Sequence, residues 1–401
     1  MSSVDFDKVG ELVKLPENAR KLLSRPEKQQ ILTLTLRTGP EEVLFADAYV
    51  VYHNTARGPA KGGIRISPKV TLEETTDLAE RMVWKTALVK IPFGGGKAGI
   101  CIDAEKLPLF VRTGLLHEFV HLIHIDLESG AYIPAPDLGS RASDMASIYG
   151  ETHILTSVTG KPPRVGGLPG RAEATGRGVA HVTKCALKDV LKKDVSKATV
   201  AVQGFGNVGS WAARFLTDWG AKVVAVSDAR AGYHNAKGLD IDALRRQTDQ
   251  TGAIQGKAPG DRITNEELLA LKVDVLIPAA VENVLNEKTA PHVKARLVVE
   301  GANGPTTPAG DRIMEEAGVV AVPDILANSG GVIASYIEWR NAKSGSITDR
   351  EEVFENLEHV IGLAYDEVIT FASQRKTSLR LAAQAVAVEE VVGAMRDRGW
   401  L

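Results

Sequence analysis

Residues 199–228 read TVAVQGFGNVGSWAARFLTDWGAKVVAVSD. The opening TVAVQ is apolar and β-branched, long enough for a buried strand and too short for a helix. Gly204-Phe205-Gly206-Asn207-Val208-Gly209 follows, and then Trp211, Phe215 and Leu216 recur at helical spacing. KVVAVSD is a second strand, and it closes on Asp228, 19 residues after Gly209. A strand, a glycine turn, a helix and a second strand make a βαβ unit. In that context G-x-G-x-x-G becomes a specific signal for a dinucleotide. The first glycine permits the tight turn, the second lets the backbone approach a pyrophosphate, and the third lets helix and strand pack closely. The pyrophosphate then rests on the uncommitted N–H groups at the helix start. Asp228 can accept hydrogen bonds from ribose hydroxyls, as in an NAD site, whereas Arg230 can hold the 2′-phosphate of NADP. The two readings stay open, with NAD slightly favoured.

Working outward, VDVLIP (273–278), RLVVEG (296–301) and VVAVPD (319–324) are further buried-strand candidates. Short apolar strands alternating with helices predict a parallel α/β sheet. Upstream, ILTLTLRT and LFADAYVVYHN predict strands within 29–54, and TLEETTDLAERMVWKTALVK predicts a helix over 71–90, opened by a Thr71/Glu74 capping box. A second helix is expected over about 107–128. The chain of 401 residues is comfortable for two domains. The expected fold class is α/β: an N-terminal α/β substrate and oligomerisation domain over 1–185 and a Rossmann-type domain over 186–341, with helices in 342–401 packing back on the first.

Composition narrows the function. Lys+Arg number 48 and Asp+Glu 50, so no electrostatic case exists for nucleic acid or an anionic membrane as partner. The two cysteines, Cys101 and Cys185, are neither a disulfide framework nor a metal cluster. They are expected to be small buried hydrophobes, and no metal is expected. The N-terminal MSSVDFDKVGELVKLPENARKLL has no signal-peptide core, and no run approaches the length of a membrane span. The cytoplasm is the expected compartment.

Three lysines stand in unusual settings. Lys61 lies in GPAKGGIR, Lys85 in RMVWKTAL and Lys97 in IPFGGGKAG. Glycines beside Lys61 and Lys97 remove side-chain bulk and would let a substrate reach the backbone. Clustered ammonium groups suit a dicarboxylate. They also lower one another's proton affinity, and a lysine so tuned can act as acid or base. Lys97 is the candidate for that role. Asp137, braced by Pro134-Ala135-Pro136, is suited either to relay protons or to cap the following helix.

GPAKGGIR, MVWK, PFGGGKAG, PAPD, EATGRG, GFGNVG, EGANGPTTP and NSGGVIASYIEW occur in that order. With them the chain resembles the glutamate/leucine/phenylalanine/valine dehydrogenases from about Pro26 to about Trp339, and most closely the members that act on glutamate. The resemblance implies NAD(P)-dependent, reversible oxidative deamination of L-glutamate to 2-oxoglutarate and ammonium. It makes Lys97 and Asp137 catalytic. Lys85 would bind the α-carboxylate, Lys61 and Ser335 the side-chain carboxylate, and Asn328 both substrate and cofactor. Thr175 and Asn303 would lie near the nicotinamide. Positions 61 and 335 are apolar in leucine and phenylalanine enzymes; here both are polar, which argues against a branched-chain or aromatic substrate. A non-catalytic regulatory subunit is a further alternative, opposed by the intact Lys97 and Asp137. The resemblance also implies a homo-oligomer, a hexamer. Val83, Ala60 and Ala98 depart from common family residues without removing a charged group.

Overall fold

The computed structural model describes residues 4–254 and 260–401, and the chain divides into two units. The first takes the chain up to Arg171 together with Val332–Val353 and Gln384–Leu401. Its sheet comprises β1 (Lys28–Arg37), β2 (Val43–Asn54), β3 (Ala60–Ile66), β4 (Gly94–Ile100) and β5 (Tyr132–Pro136), in the order β1-β2-β4-β3-β5. β1 and β4 run antiparallel to β2, while β3 lies parallel to both β4 and β5. The two-residue period of β1 places Leu32, Leu34 and Leu36 on the core, against Leu115, Leu116 and Phe119 of the helix Leu109–Leu122. The helix expected over 107–128 is interrupted at Ile123, after which a short helix spans His124–Glu128.

β4 was not expected as a strand, because its three consecutive glycines are poor strand formers. Close backbone packing accounts for it. A Cβ on Gly95 would lie 2.3 Å from Val83 Cγ2 and 2.5 Å from the Ala79 carbonyl oxygen, and one on Gly62 would lie 1.7 Å from the Gly96 carbonyl oxygen. The helix Leu72–Leu88 therefore lies directly on β4. These glycines bring backbone to backbone, where the sequence suggested room for a substrate. The helix opens as expected at Thr71, whose side chain accepts from Glu74 N at 3.1 Å.

The second unit takes Ala172–Gly331 and Phe354–Ala383. Its strands are β6 (Thr199–Gln203), β7 (Lys222–Ser227), β8 (Gly232–His234), β9 (Asp261–Ile263), β10 (Val275–Pro278), β11 (Leu297–Val299) and β12 (Val320–Val322). The order is β12-β11-β10-β6-β7-β8-β9, parallel from β12 to β7 and antiparallel at β8 and β9. The parallel strands are the apolar runs read from sequence, and all but the edge strand β12 are buried on both faces. β8 and β9 are three residues each, GYH and DRI, too short and polar to register as strands.

The division falls between Arg171 and Ala172, earlier than 185/186, and most of the helix Arg350–Arg375 goes with the second unit. The cause is packing: a Cβ on Gly176 would lie 2.5 Å from Trp211 Cβ, so the helix Ala174–Asp189 sits tightly on Asn207–Asp218. Arg177 also binds Glu358 of the later helix. Cys101 and Cys185 are unpaired and only half-buried, less enclosed than expected. Among the described residues there is no metal-ligand cluster and no helix long and apolar enough to cross a membrane.

Candidate active site

Lys97 sits within β4, and Asp137 follows the last residue of β5; both strands flank β3. In register, Ile64 of β3 lies opposite both Ala98 and Pro136, so the residue before one and the residue after the other are carried to the same part of the sheet. Lys97 Nζ donates to Asp137 Oδ2. The other oxygen of Asp137 accepts from Arg65 Nε at 3.2 Å and from Leu138 N at 2.7 Å. A Cβ on Gly63 would fall 2.7 Å from that of Asp137, so only glycine leaves the carboxylate its place. Burial would raise the Asp137 carboxyl, but the Lys97 and Arg65 cations, with the Leu138 N–H, hold it down at about 2. Asp137 does not cap the following helix: the boundary residue there is Arg141, whose N–H donates to Asp144 at 2.8 Å. The helix-cap reading is therefore set aside, and the carboxylate is instead paired with Lys97 and Arg65.

Lys61, on β3, is 1% exposed, and its Nζ donates to the carbonyls of Ile133 (3.1 Å) and Pro134 (3.3 Å). Burial, and then the charge of Arg171, push its proton affinity well below that of an ordinary lysine, with Glu338 opposing. Ser335, on the helix Gly330–Ser344, is 1% exposed and accepts from Arg171 Nε at 3.2 Å. Lys85 is buried in the last turn of the helix Leu72–Leu88. The first unit thus gathers Lys61, Lys97, Asp137 and Ser335 and adds Arg171, which the sequence reading missed. Its one sequence signal is a basic residue just before EATGRG, too weak to single it out.

Gly204 to Gly209, Asp228, Thr175, Asn303 and Asn328 belong to the second unit. Gly204 has φ +93, and a Cβ there would strike Ala280 at 2.7 Å. A Cβ on Gly209 would lie 1.9 Å from the Gly204 carbonyl oxygen, whereas one on Gly206 would meet no atom within 4 Å. The outer two glycines are therefore needed by the fold, and the middle one faces open space. The helix Asn207–Asp218 starts at Gly206 without a side-chain cap, leaving its first N–H groups for a ligand. β6 lies between β7 and β10, where the order of the parallel strands reverses, the place at which open α/β sheets bind nucleotides. The cradle fits a dinucleotide pyrophosphate.

Thr175 is in the first turn of Ala174–Asp189. Asn328 donates its amide to the carbonyls of Gly301 (3.2 Å) and Ala302 (3.2 Å) and to Asn303 Oδ1 (3.0 Å), tying the loop after β11. Asp228 accepts from Arg230 N (2.8 Å) and Ala231 N (3.0 Å) of its own turn through one oxygen and from Ile254 N (2.8 Å) through the other, so both oxygens already serve the backbone. Asp228, Arg230, Arg262, Asn265 and Glu267 line a cavity of about 460 Å³. Arg262 and Asn265 escaped the sequence reading because β9, which brings them there, did.

Two family models match: residues 26–154 the "Glu/Leu/Phe/Val dehydrogenase, dimerisation domain", and residues 166–399 the "Glutamate/Leucine/Phenylalanine/Valine dehydrogenase". The NADP-specific glutamate dehydrogenase of Saccharolobus shibatae is 41% identical, over 98% of this chain and 95% of that one. The cryptic catabolic NAD-specific glutamate dehydrogenase of Bacillus subtilis is 38% identical, over 96% and 92%. Among solved structures, the hetero-hexameric glutamate dehydrogenase of Thermus thermophilus in its leucine-bound form superposes with a TM-score of 0.91 at 32% identity, covering 98% of this chain and 96% of that one.

Proposed function

The chain belongs to the glutamate/leucine/phenylalanine/valine dehydrogenase family, and on that premise we propose that its reaction is the reversible oxidative deamination of L-glutamate to 2-oxoglutarate and ammonia. It is an amino-acid dehydrogenase acting on a CH–NH2 group, with NAD or NADP as cofactor. The observation that carries the choice of glutamate is a pair of cationic side chains that act on each other, the buried Lys61 and the half-buried Arg171, with Ser335 hydrogen-bonded to Arg171. An apolar substrate side chain would leave those charges unpaired, at a cost of several kcal/mol. A side-chain carboxylate satisfies them, and substrate choice follows.

Lys61, Ser335 and Arg171 hold the side-chain carboxylate, and Lys85 holds the α-carboxylate. A nicotinamide cofactor held by the second unit would supply the acceptor for the hydride lost from the substrate Cα. Lys97 activates water for attack on the resulting iminium carbon, and Asp137, ionised at rest, takes and returns protons at the nitrogen. Gly204 to Gly209 seat the pyrophosphate; Thr175 and Asn303 border the nicotinamide, and Asn328 orders the loop that carries Asn303. At the ribose, both oxygens of Asp228 are already engaged by backbone N–H groups while Arg230 and Arg262 are at hand. That balance suits a 2′-phosphate and tilts the reading from NAD towards NADP. The two unpaired cysteines fit the reducing cytoplasm, and we read the assembly as a homo-hexamer with no nucleic-acid partner.

The test is nicotinamide absorbance with the purified chain, L-glutamate and L-leucine each with NAD and NADP. We expect turnover of glutamate, at least a hundredfold less of leucine, and a lower KM for NADP. Absence of turnover with every pairing, in a folded protein, would return the reading to a regulatory subunit.

A further inference from the structure

Lys161 and Glu338 form an ion pair at 2.7 Å whose side chains are 0% and 1% exposed. No sequence motif marked Lys161, and the pair lies outside the catalytic groups. Its hydrogen bonds are complete. Lys161 Nζ donates to Leu155 O (3.1 Å), Val158 O (2.7 Å) and Glu338 Oε1, which uses its three protons. Glu338 also accepts from Gly160 N (2.8 Å) and Lys161 N (3.3 Å). A buried pair of this kind is poor value for stability, because apolar residues of similar volume do as well or better. Its position indicates another use.

Glu338 lies three residues after Ser335 on one helix, so the two share a face. The segment it grips continues directly to Lys61. Thr159 N donates at 3.0 Å to the Pro134 carbonyl, the same oxygen that accepts from Lys61 Nζ. Gly160, at φ +83, has no room for a Cβ, which would lie 2.3 Å from Pro136 Cδ. Contacts thus run from Lys61 through Pro134, Thr159 and Gly160 to Glu338, and back along the helix to Ser335 and Arg171.

We infer that Glu338 is a positioning residue of the side-chain carboxylate subsite: clamped by Lys161 and the Gly160–Lys161 backbone, it fixes the turn that presents Ser335 and supplies the fixed negative charge beside Lys61. The inference rests on the glutamate reading above. Besides burial, the leading charges on Lys61 are the cations Arg171, Lys161 and Lys97 and, opposing them, the Glu338 carboxylate. Burial and those cations favour loss of the Lys61 proton, and Glu338 opposes it. An ammonium that gives up its proton no longer attracts a carboxylate. Glu338 therefore governs recognition of an acidic side chain and leaves the chemistry at Cα alone.

The experiment compares Glu338→Gln and Lys161→Gln with the wild-type enzyme, with L-glutamate and with L-norvaline, which lacks the side-chain carboxylate. Glu338→Gln keeps an acceptor for Gly160 N and removes the charge. We expect KM for glutamate to rise at least tenfold, kcat to stay within threefold, and kcat/KM for norvaline to stay within twofold. The alkaline limb of kcat/KM for glutamate should move to lower pH in Glu338→Gln and to higher pH in Lys161→Gln, so either variant carries the test if the other does not fold. Equal losses on both substrates, or a limb that fails to move in the direction stated for its variant, would overturn the inference in favour of a merely structural pair. A wild-type enzyme without glutamate turnover would remove the inference together with the reading beneath it, whereas normal turnover with unshifted variants would sink this inference alone.

Discussion

Lys97 and Asp137 stand 40 residues apart in sequence and meet only because β4 and β5 flank β3. Both were legible as candidates: a lysine after three glycines and an aspartate after Pro-Ala-Pro are settings that solvated side chains seldom occupy. Their pairing was not legible, since it depends on strand order. Arg171, Lys161 and Glu338 were not singled out for the same reason. Each acquires its meaning from a contact more than 160 residues away. The pair yields two expectations. Asp137→Asn keeps the shape and removes the proton acceptor, so kcat should fall by roughly 10²–10⁴, the usual worth of general acid–base catalysis, with KM for glutamate changed little. Stopped-flow and steady-state rates would check it, and a kcat within threefold of wild type would remove Asp137 from the mechanism. The second concerns stability. A carboxyl held at about 2 in the fold, against about 3.9 when unfolded, contributes stability above the unfolded value and loses it as pH falls through the folded one. The contribution is on the order of 2 kcal/mol. Acid unfolding of the wild type should steepen between about pH 4 and pH 2, and Asp137→Asn should flatten that slope; parallel slopes would show that the carboxylate is not held by its cations.

The βαβ element was the most legible part of the molecule, because a parallel strand buried on both faces is written as an unbroken apolar run. The polar strands β8 and β9 and the glycine strand β4 were not, since each owes its conformation to neighbours rather than to its own residues. Within the glycine turn the three positions make different demands. A Cβ on Gly209 would lie 1.9 Å from the Gly204 carbonyl oxygen, while Gly206 faces open space and has φ −80, which any residue adopts. Gly206→Ala should therefore fold normally, with Tm within about 2 °C of wild type. It should also raise the KM for the cofactor at least tenfold, because the methyl group occupies ground meant for the pyrophosphate. Gly209→Ala should lower Tm by several degrees whatever the cofactor. Thermal melts with and without NADP separate the two. A Gly206→Ala enzyme with unchanged cofactor KM would place the pyrophosphate elsewhere.

At the scale of the whole molecule, two units were legible and their seam was not, because the helix Ala174–Asp189 reads as amphipathic whichever unit it joins. The first unit also leaves part of one sheet face uncovered, over β1 and the start of β2. Ile31 lies opposite Tyr49 and Thr35 opposite Phe45 in the β1–β2 ladder, so these residues share a face, and Ile31 and Phe45 are 67% and 63% exposed. β1 is an edge strand of this sheet, with no further neighbour among the described residues. An exposed apolar face beside an open edge is an association surface, and the family model that covers these strands is named for dimerisation. If copies of the chain pair through this face, replacing both side chains by charge must break the assembly without touching the active-site groups. Ile31→Lys/Phe45→Lys should then run in light scattering well below the wild type, whose expected mass is six times 42.9 kDa. The double variant should keep its fold by circular dichroism, since neither side chain belongs to the core. An unchanged mass for the variant would mean that the subunits meet through another surface, and a wild type of 42.9 kDa would mean that this face is left to solvent in the working protein.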